Sequence, residues 1–560
     1  MSPSRPAPAD AAPHPRVAGQ IPLGPYRWLL ICLAVVFPLI AWQDMAGISQ
    51  GDPWYDNADV NLHNVVDALA INSNISPARV DQPGLPGKFL LALDYRIRHF
   101  TGLLPVWNLR KFGNSRDPLR ELPVLVRIGR AHSRILVMLF LLTAAGTVYA
   151  VTRSPETALC ALLLLCASAG LLFQGLVNRP ELLCSWFGTV LLPFCLWRFA
   201  ASDGGHARPA WLFAAGMAAG LGILAKESAL YFLPASFAWC WVVASTTQEV
   251  PGTAPERSRL GPVLLPLVTS AAFFSLMRSL VAAPDALTAV ATFRLYIVAG
   301  LVAALPLAAA YRGRNRLGGF FVQRSLELAW IGGGALAAIL LAYAALRTVM
   351  TQLPALTCLA RVLDFVAHPD PLVKYFLSST PHPGGEFLRF VRESPLLFLG
   401  ATAVAVAVVL RRAIPARFKA LIGLLWLNAL VLPAILAHSY FQEPFSVFAQ
   451  VPLGLVVVLG LFELGVWRAA APSQAGHWAV PLLLAATTVL VLTVNLRLEA
   501  KQRVYRTETD SPVSNLTLTF LYDHDAHPER YRQVMREHYG TREQFSTTLQ
   551  QYLADPAHRY

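Results

Sequence analysis

WYDNADVNLHNVVDALAINSN, residues 54–74, follows the first long apolar run of the chain. Within it Asp56, Asp59, His63 and Asp67 recur three and four residues apart. In a helix that spacing stacks all four on one face. Val60, Leu62, Val65, Val66 and Leu69 fall on the opposite face. Two readings follow. The row is either a solvated helix face with an aspartate as N-cap, or the polar side of a helix that packs its apolar face and turns its carboxylates toward a cavity. The choice depends on what surrounds the stretch.

The surroundings are apolar. Of 560 residues, 55% are hydrophobic and 14% are charged, against about 25% charged in soluble chains. This composition predicts an all-α polytopic membrane protein. The net charge of +13 comes mostly from arginine. In a membrane protein that excess marks topology and contact with membrane lipids. No basic stretch interleaves with aromatics, so a nucleic-acid partner is excluded. Six of the seven cysteines, Cys32, Cys160, Cys166, Cys184, Cys195 and Cys240, lie in or beside apolar runs, Cys358 falls in a polar loop, and no CxxC occurs. Neither a zinc ribbon nor a redox pair is supported.

Runs long enough to span a bilayer, about 20 residues each, fall near 26–45, 132–152, 156–176, 180–200, 209–225, 228–246, 260–280, 288–310, 327–348, 395–410, 419–437, 445–467 and 477–496. That makes about 13 transmembrane helices. The first run lacks a small-x-small cleavage site and reads as a retained span rather than a signal peptide. YRGRNRLGG (311–319) and RRAIPARFK (411–419) are strongly basic, and Arg153, Arg198, Arg208, Arg257, Arg259 and Arg468 fall in the same alternate set of loops. By the positive-inside rule these face the cytoplasm. Three regions follow: residues 1–20, a disordered cytoplasmic tail rich in Pro and Ala; 21–496, the transmembrane domain; and 497–560, a polar helical tail on the outer side.

Two outer loops, 46–131 and 349–394, are too long for simple connectors. The first holds the acidic row. It also holds KFLLALDYRIRHFTGLL (88–104), apolar on one side and basic on the other, which predicts a helix lying in the interface. PVLVRIGRAHSR (123–134) reads as a second interfacial helix leading into the next span. The loop 349–394, broken by Pro and Gly, reads as short surface helices over a cavity.

Isolated charges stand at the outer ends of spans, against the positive-inside bias. Arg179 and Glu181 lie in LVNRPELL, Lys226 and Glu227 in GILAKESALYFLP, and Arg278 in LMRSL. Each either snorkels to the surface or serves a site; Arg179, Lys226 and Arg278 are suited to converge on one anionic group. His438 opens HSYFQEPF (438–445), with an interfacial aromatic belt as the plain alternative. Asp59 and His63, at i and i+4, are spaced to share a divalent ion with Asp56 or Asp67. No third and fourth ligand stands out elsewhere, so a divalent metal stays an option and no metal ligand or other cofactor is assigned.

These segments resemble a family. The acidic row after the first span, then VDQPGLPGKFLLAL (80–93), then VRIGRAHSRILVMLFLLTAAGTVYAVTR (126–153), NRPELLCSWFGTVLL (178–192) and GLGILAKESALYFLP (220–234) follow the order seen in the protein O-mannosyltransferases and the lipid A aminoarabinose transferases. Those are membrane glycosyltransferases of the GT-C fold. The likeness covers about residues 25–240 by motif and the rest by topology. Three departures stand out: Asp56 and Asp59 replace a consecutive Asp-Glu, Gln82 stands where the family has histidine, and Glu227 follows Lys226.

The resemblance implies an enzyme that takes a sugar from a polyprenyl-phosphate donor at the outer leaflet and passes it to an acceptor hydroxyl. The acceptor is a lipid, a glycan or a protein. One carboxylate suffices as base if the sugar inverts in a single displacement. Asp59 matches the family's position best, with Asp56 next. Lys226, assisted by Arg179 or Arg278, meets the donor phosphate. His63, Gln82, Lys88, Glu181 and His438 are further candidate substrate contacts. The implied location is the inner membrane, multi-pass, with the site on the periplasmic side. Asp67 and His63 are expected to tolerate substitution best. A secondary transporter would show internal repeats and broken spans in matching halves, and neither occurs. A glycan polymerase or ligase would concentrate arginines in the outer loops and lack the acidic pair.

Overall fold

The computed structural model describes residues 53–55, 58–77, 84–166, 168–202, 207–226, 229, 316–351, 391, 394–436, 446–465, 513, 515–524 and 527–558. Among them every regular element is helical: α1 (Ala58–Ile71), α2 (Leu85–Phe100), α3 (Leu109–Gly113), α4 (Pro118–Thr152), α5 (Pro155–Cys166), α6 (Ala169–Leu176), α7 (Glu181–Ser185), a π-helical stretch (Trp186–Leu191), α8 (Leu192–Ala201), α9 (Ala207–Ala225), α10 (Arg316–Arg347), α11 (Pro395–Leu410), α12 (Ala416–Leu436), α13 (Val447–Glu463), α14 (Asn515–Leu518), α15 (Glu529–Tyr539) and α16 (Arg542–Leu553).

Among the described residues four helices are long and apolar enough to cross a membrane: Pro118–Thr152, Glu181–Ala201, Arg208–Ala225 and Glu327–Arg347, with α5 and α6 a fifth if the bent pair is one span. α11 and α13 are shorter apolar helices. The expected spans at 26–45, 228–246, 260–280, 288–310 and 477–496 lie outside the described residues, Ala229 apart.

Two expectations change. Residues 123–134 are not a separate interfacial helix. They belong to α4, one helix of 35 residues that Asp117 caps by accepting from Leu119 N at 3.2 Å. At 1.5 Å per residue α4 measures roughly 52 Å, against about 30 Å of hydrocarbon, so part of it stands clear of the membrane. The run 156–176 is not one straight helix but α5 and α6, bent by 63°. Ser168 caps α6 by accepting from Leu171 N at 3.2 Å. Its hydroxyl donates to Gln450 Oε1 at 2.7 Å, and Gly170 N donates to the same oxygen at 3.2 Å. Gln450 Nε2 donates to Ser394 Oγ at 2.8 Å. A buried glutamine thus takes up polar groups that the break would leave unpaired in an apolar bundle.

The π-helical stretch has a local cause. Pro193 has no N–H to give to Thr189, and the Leu192 N–H bonds back to Phe187, five residues earlier. The α9–α10 pair is held by glycine. A Cβ on Gly216 would strike the Ile331 carbonyl oxygen, and one on Gly334 the Phe213 carbonyl oxygen. This close backbone approach is the small-residue packing expected where lipid supplies no hydrophobic drive.

Among the described residues two apolar cores result. One joins α4–α13 in the bundle, with α10 entering through Ile331. The other, at one end, joins α1, α2, α3, the start of α4, Leu346 and Met350 at the end of α10, and the tail helices. The start of α4 and the end of α10 belong to this second core, and hydrogen bonds from Gly84 N to Leu224 O and from Asn178 N to Asn61 Oδ1 bring the end of α9 and the turn before α7 to the same end of the bundle. At the ends of α11–α13, Arg411 Nη1 donates to Leu464 O at 2.6 Å and Lys419 Nζ to Val409 O at 2.8 Å.

Candidate functional site

From Asn61 onward helix α1 is not a solvated face. From Asn61 to Ile71 every side chain is buried, His63 and Asp67 included. Asp59 lies in the first turn of this helix. Four neighbours enclose α1, and each comes from a different part of the chain.

The first neighbour is α2. Lys88 Nζ reaches Asp67 Oδ2 at 2.6 Å. Asn72, just past α1, donates to Ala92 O at 2.8 Å and Trp107 O at 3.1 Å. Tyr95 Oη donates to Leu125 O on α4 at 2.9 Å, and burial pushes its phenol well above the usual tyrosine range. α2 also leaves Leu93, Ile97 and Phe100 exposed, a stripe at helical spacing that continues to Leu103. The second neighbour is α4, where Arg130 Nη2 donates to Pro53 O at 3.4 Å, just ahead of the acidic row.

The third neighbour is the hairpin before α7. Asn64 Nδ2 donates to Asn178 O at 2.6 Å, and Asn178 N donates to Asn61 Oδ1 at 3.2 Å. These two bonds fix the backbone beside Arg179. Arg179 Nη1 then lies 4.0 Å from Glu181 Oε1, and Lys226 Nζ donates to the same carboxylate oxygen. The Cys184 thiol, one turn into α7, donates to the Lys226 carbonyl at 3.9 Å.

Gly84 joins these pieces. Its φ is 142°, a conformation that favours glycine. Its N–H donates to Leu224 O at 3.1 Å. A Cβ there would meet Pro180 Cβ at 3.4 Å and Ala225 O at 3.9 Å. Gly84, Pro180 and Lys226 belong to three motifs widely separated in sequence, and those motifs meet here.

The fourth neighbour is the C-terminal tail. The His63 ring meets Phe520 at 5.3 Å, His524 at 4.8 Å and His527 at 4.6 Å between centroids. His524 stacks on Phe520, 4.6 Å away and 11° from parallel. Trp54 Nε1 donates to His558 O at 3.0 Å. The tail therefore lies against both ends of the segment 54–63.

Of the residues singled out in sequence, the structure brings Asp59 (by its helix), His63, Lys88, Arg179, Glu181 and Lys226 to this one end of the bundle. Asp56, Gln82, Glu227, Arg278 and His438 lie outside the described residues. Asp67, expected to tolerate substitution, is buried against Lys88. Sequence reasoning passed over Asn61, Asn64 and Asn178, whose only signal was the polar NRP turn facing asparagines at i and i+3. It also passed over His524 and His527, which carried none. Among the described residues no group of three or more His, Cys, Asp or Glu is arranged to hold a metal ion.

No family model and no curated protein matches the chain. Among solved structures it aligns with the archaeal oligosaccharyltransferase AglB from Archaeoglobus fulgidus, in complex with an inhibitory peptide and a dolichol-phosphate. The TM-score is 0.43 at 13% identity, over 85% of this chain and 56% of that one. The chain thus spans little more than half of that structure's length.

Proposed function

We propose that this chain is an integral membrane glycosyltransferase of the GT-C type. It moves a sugar from a polyprenyl-phosphate donor to an acceptor hydroxyl on the outer face of the cell's inner membrane. One observation carries the reading: a helix bearing the acidic row, and a cationic pair of Arg179 and Lys226, meet at the same end of an apolar bundle. Displacement at a lipid-linked sugar needs a base for the incoming hydroxyl and cations for the departing phosphate.

The steps follow from those needs. The acceptor oxygen attacks the anomeric carbon while a carboxylate of the row takes its proton. Asp59 is assigned that role, with Asp56 second. The bond from the anomeric carbon to the phosphate oxygen breaks as the new one forms, so the sugar inverts. The electron pair leaves on the polyprenyl phosphate, where Lys226, Arg179 and Arg278 offset the developing charge. His63, Gln82, Lys88, Glu181 and His438 are assigned to shaping the site around the donor and the acceptor. A metal ion is not required by this scheme.

The test is release of polyprenyl phosphate from a set of polyprenyl-phosphate sugars by the purified protein, alongside labelled-sugar transfer into membrane fractions. Release with one donor, with label entering a lipid, glycan or protein fraction, is expected. Translocation of a solute without release would establish a transporter instead.

A further inference from the structure

The two cations assigned to the donor phosphate already share an anion. Arg179 Nη1 and Lys226 Nζ both approach Glu181 Oε1, one at 4.0 Å and the other in a direct hydrogen bond. Their side chains differ in exposure: Glu181 is 4% exposed, Arg179 9% and Lys226 20%. Lys226 is thus the member of the triad that meets an arriving ligand first.

Glu181 is built to survive the loss of one partner. It opens a span that runs to Ala201, so its carboxylate sits at the positive end of a long helix. Arg179 stays beside it on a turn pinned by Asn61 and Asn64. Lys226 keeps its place through its backbone, with its N–H bonded to Gly222 O at 2.8 Å and its carbonyl accepting from Cys184. Its ammonium can therefore change partner while the chain around it stays still.

We propose that Glu181 is a positioning residue that acts as a built-in counter-anion. It holds Lys226 ready when no phosphate is bound, yields it to the donor phosphate, and takes it back as polyprenyl phosphate leaves. This rests on the glycosyltransferase reading and adds to it a mechanism for product release. Because Glu181 competes for Lys226, only the fraction of molecules with the ammonium available binds phosphate at full strength.

The experiment measures undecaprenyl phosphate binding and release by the full-length protein in lipid nanodiscs. Glu181→Gln keeps the shape and a neutral hydrogen bond to Lys226. It should bind the lipid roughly tenfold tighter and release it correspondingly more slowly, although loss of the buried carboxylate should lower its melting temperature. The gain should vanish when Lys226→Met is added. Glu181→Asp, with a shorter reach, should fall between Glu181→Gln and the wild type. Equal or weaker binding by a folded Glu181→Gln protein overturns the inference, as does a gain that survives Lys226→Met, and either result leaves the phosphate reading in place. Should Glu181→Gln fail to fold, the Asp variant decides alone, and affinity no higher than wild type overturns the proposal. Wild-type protein with no measurable affinity for undecaprenyl phosphate removes the functional reading, and this inference with it.

Discussion

Lys88 reaches from the first turn of α2 to an ion pair with Asp67 on α1 at 2.6 Å, and the two side chains are only 5% and 2% exposed. Removing one partner of a buried pair leaves the other charge without its counter-ion, at a cost of about 3–5 kcal/mol. Asp67→Ala and Lys88→Met should each lower the unfolding temperature in detergent. The double variant Asp67→Leu/Lys88→Met should recover most of the loss, because no charge is then stranded. A double variant as unstable as the sum of the singles would mean that the pair matters for packing rather than charge.

The α9–α10 contact allows a sharper comparison. Gly216 and Gly334 each lie against a backbone carbonyl of the other helix, whereas Gly332 and Gly333 have nothing within 4 Å of a built Cβ. Gly216→Ala and Gly334→Ala should destabilise by roughly 1–3 kcal/mol through overpacking. Gly333→Ala, in the same helix, should be neutral or stabilise by up to about 1 kcal/mol, the helix-propensity gain. Equal effects at all three positions, read from thermal unfolding, would deny the close approach.

The docked tail should respond to alkali. Tyr539 Oη donates to Asp117 Oδ1 at 2.8 Å and accepts from Leu119 N at 2.6 Å. Burial, first of all, and then the Asp117 hydrogen bond push its phenol above the ordinary value of 10.0. Tyr531, stacked 5.6 Å from Phe112, is raised by burial as well. A raised folded-state value stabilises the docked tail fully below the unfolded tyrosine value and loses that contribution as pH climbs toward the folded one. Protease sensitivity of the tail should therefore be flat up to about pH 10 and rise above it. Tyr539→Phe should be more sensitive at neutral pH, having lost two hydrogen bonds, and should show a shallower alkaline rise. An identical alkaline slope in this variant would remove Tyr539 from the transition.

What the sequence made legible was set by local physics. A long apolar run in a membrane protein has little choice but to be helical, so Pro395–Leu410 falls on the expected residues. The acidic row forms one face only if the stretch is helical, and Asp59, His63 and Asp67 do lie within the helix Ala58–Ile71. The break between the helices Pro155–Cys166 and Ala169–Leu176 was not legible, because LLLLCASAGLLF contains no proline. What stabilises that bend is Gln450, which lies 282 residues from Ser168. The site divides in the same way. Charges at span ends marked Arg179, Glu181 and Lys226, since a charge there is costly without a purpose. Their convergence on one carboxylate depends on the Gly84 turn and on asparagines that look unremarkable in sequence. The tail histidines meet His63 only after more than 400 residues of intervening chain have folded, and no local pattern announces such a contact.

The row itself gives the final test. Asp59 falls in the first turn of α1, and the helix beyond it is sealed by packing. Asp67 is committed to Lys88, and His63 is enclosed by the rings of the tail. Asp67 and His63 therefore serve the architecture of the helix, which leaves the entrance of the row for chemistry. A general base contributes typically 10²–10⁴-fold. Asp59→Asn should thus nearly abolish sugar transfer while leaving undecaprenyl phosphate binding intact, since that lipid carries no nucleophile to deprotonate. Asp56→Asn should lower the rate less, acting through orientation. His63→Ala and Asp67→Asn should lower folded yield and activity together, with activity per folded molecule falling less than in Asp59→Asn. The measurement is the transfer rate of the four variants, normalised to folded protein by size-exclusion chromatography. An inactive Asp56→Asn beside an active Asp59→Asn would exchange the two roles. Full activity in both would take the base away from this helix and overturn the mechanism.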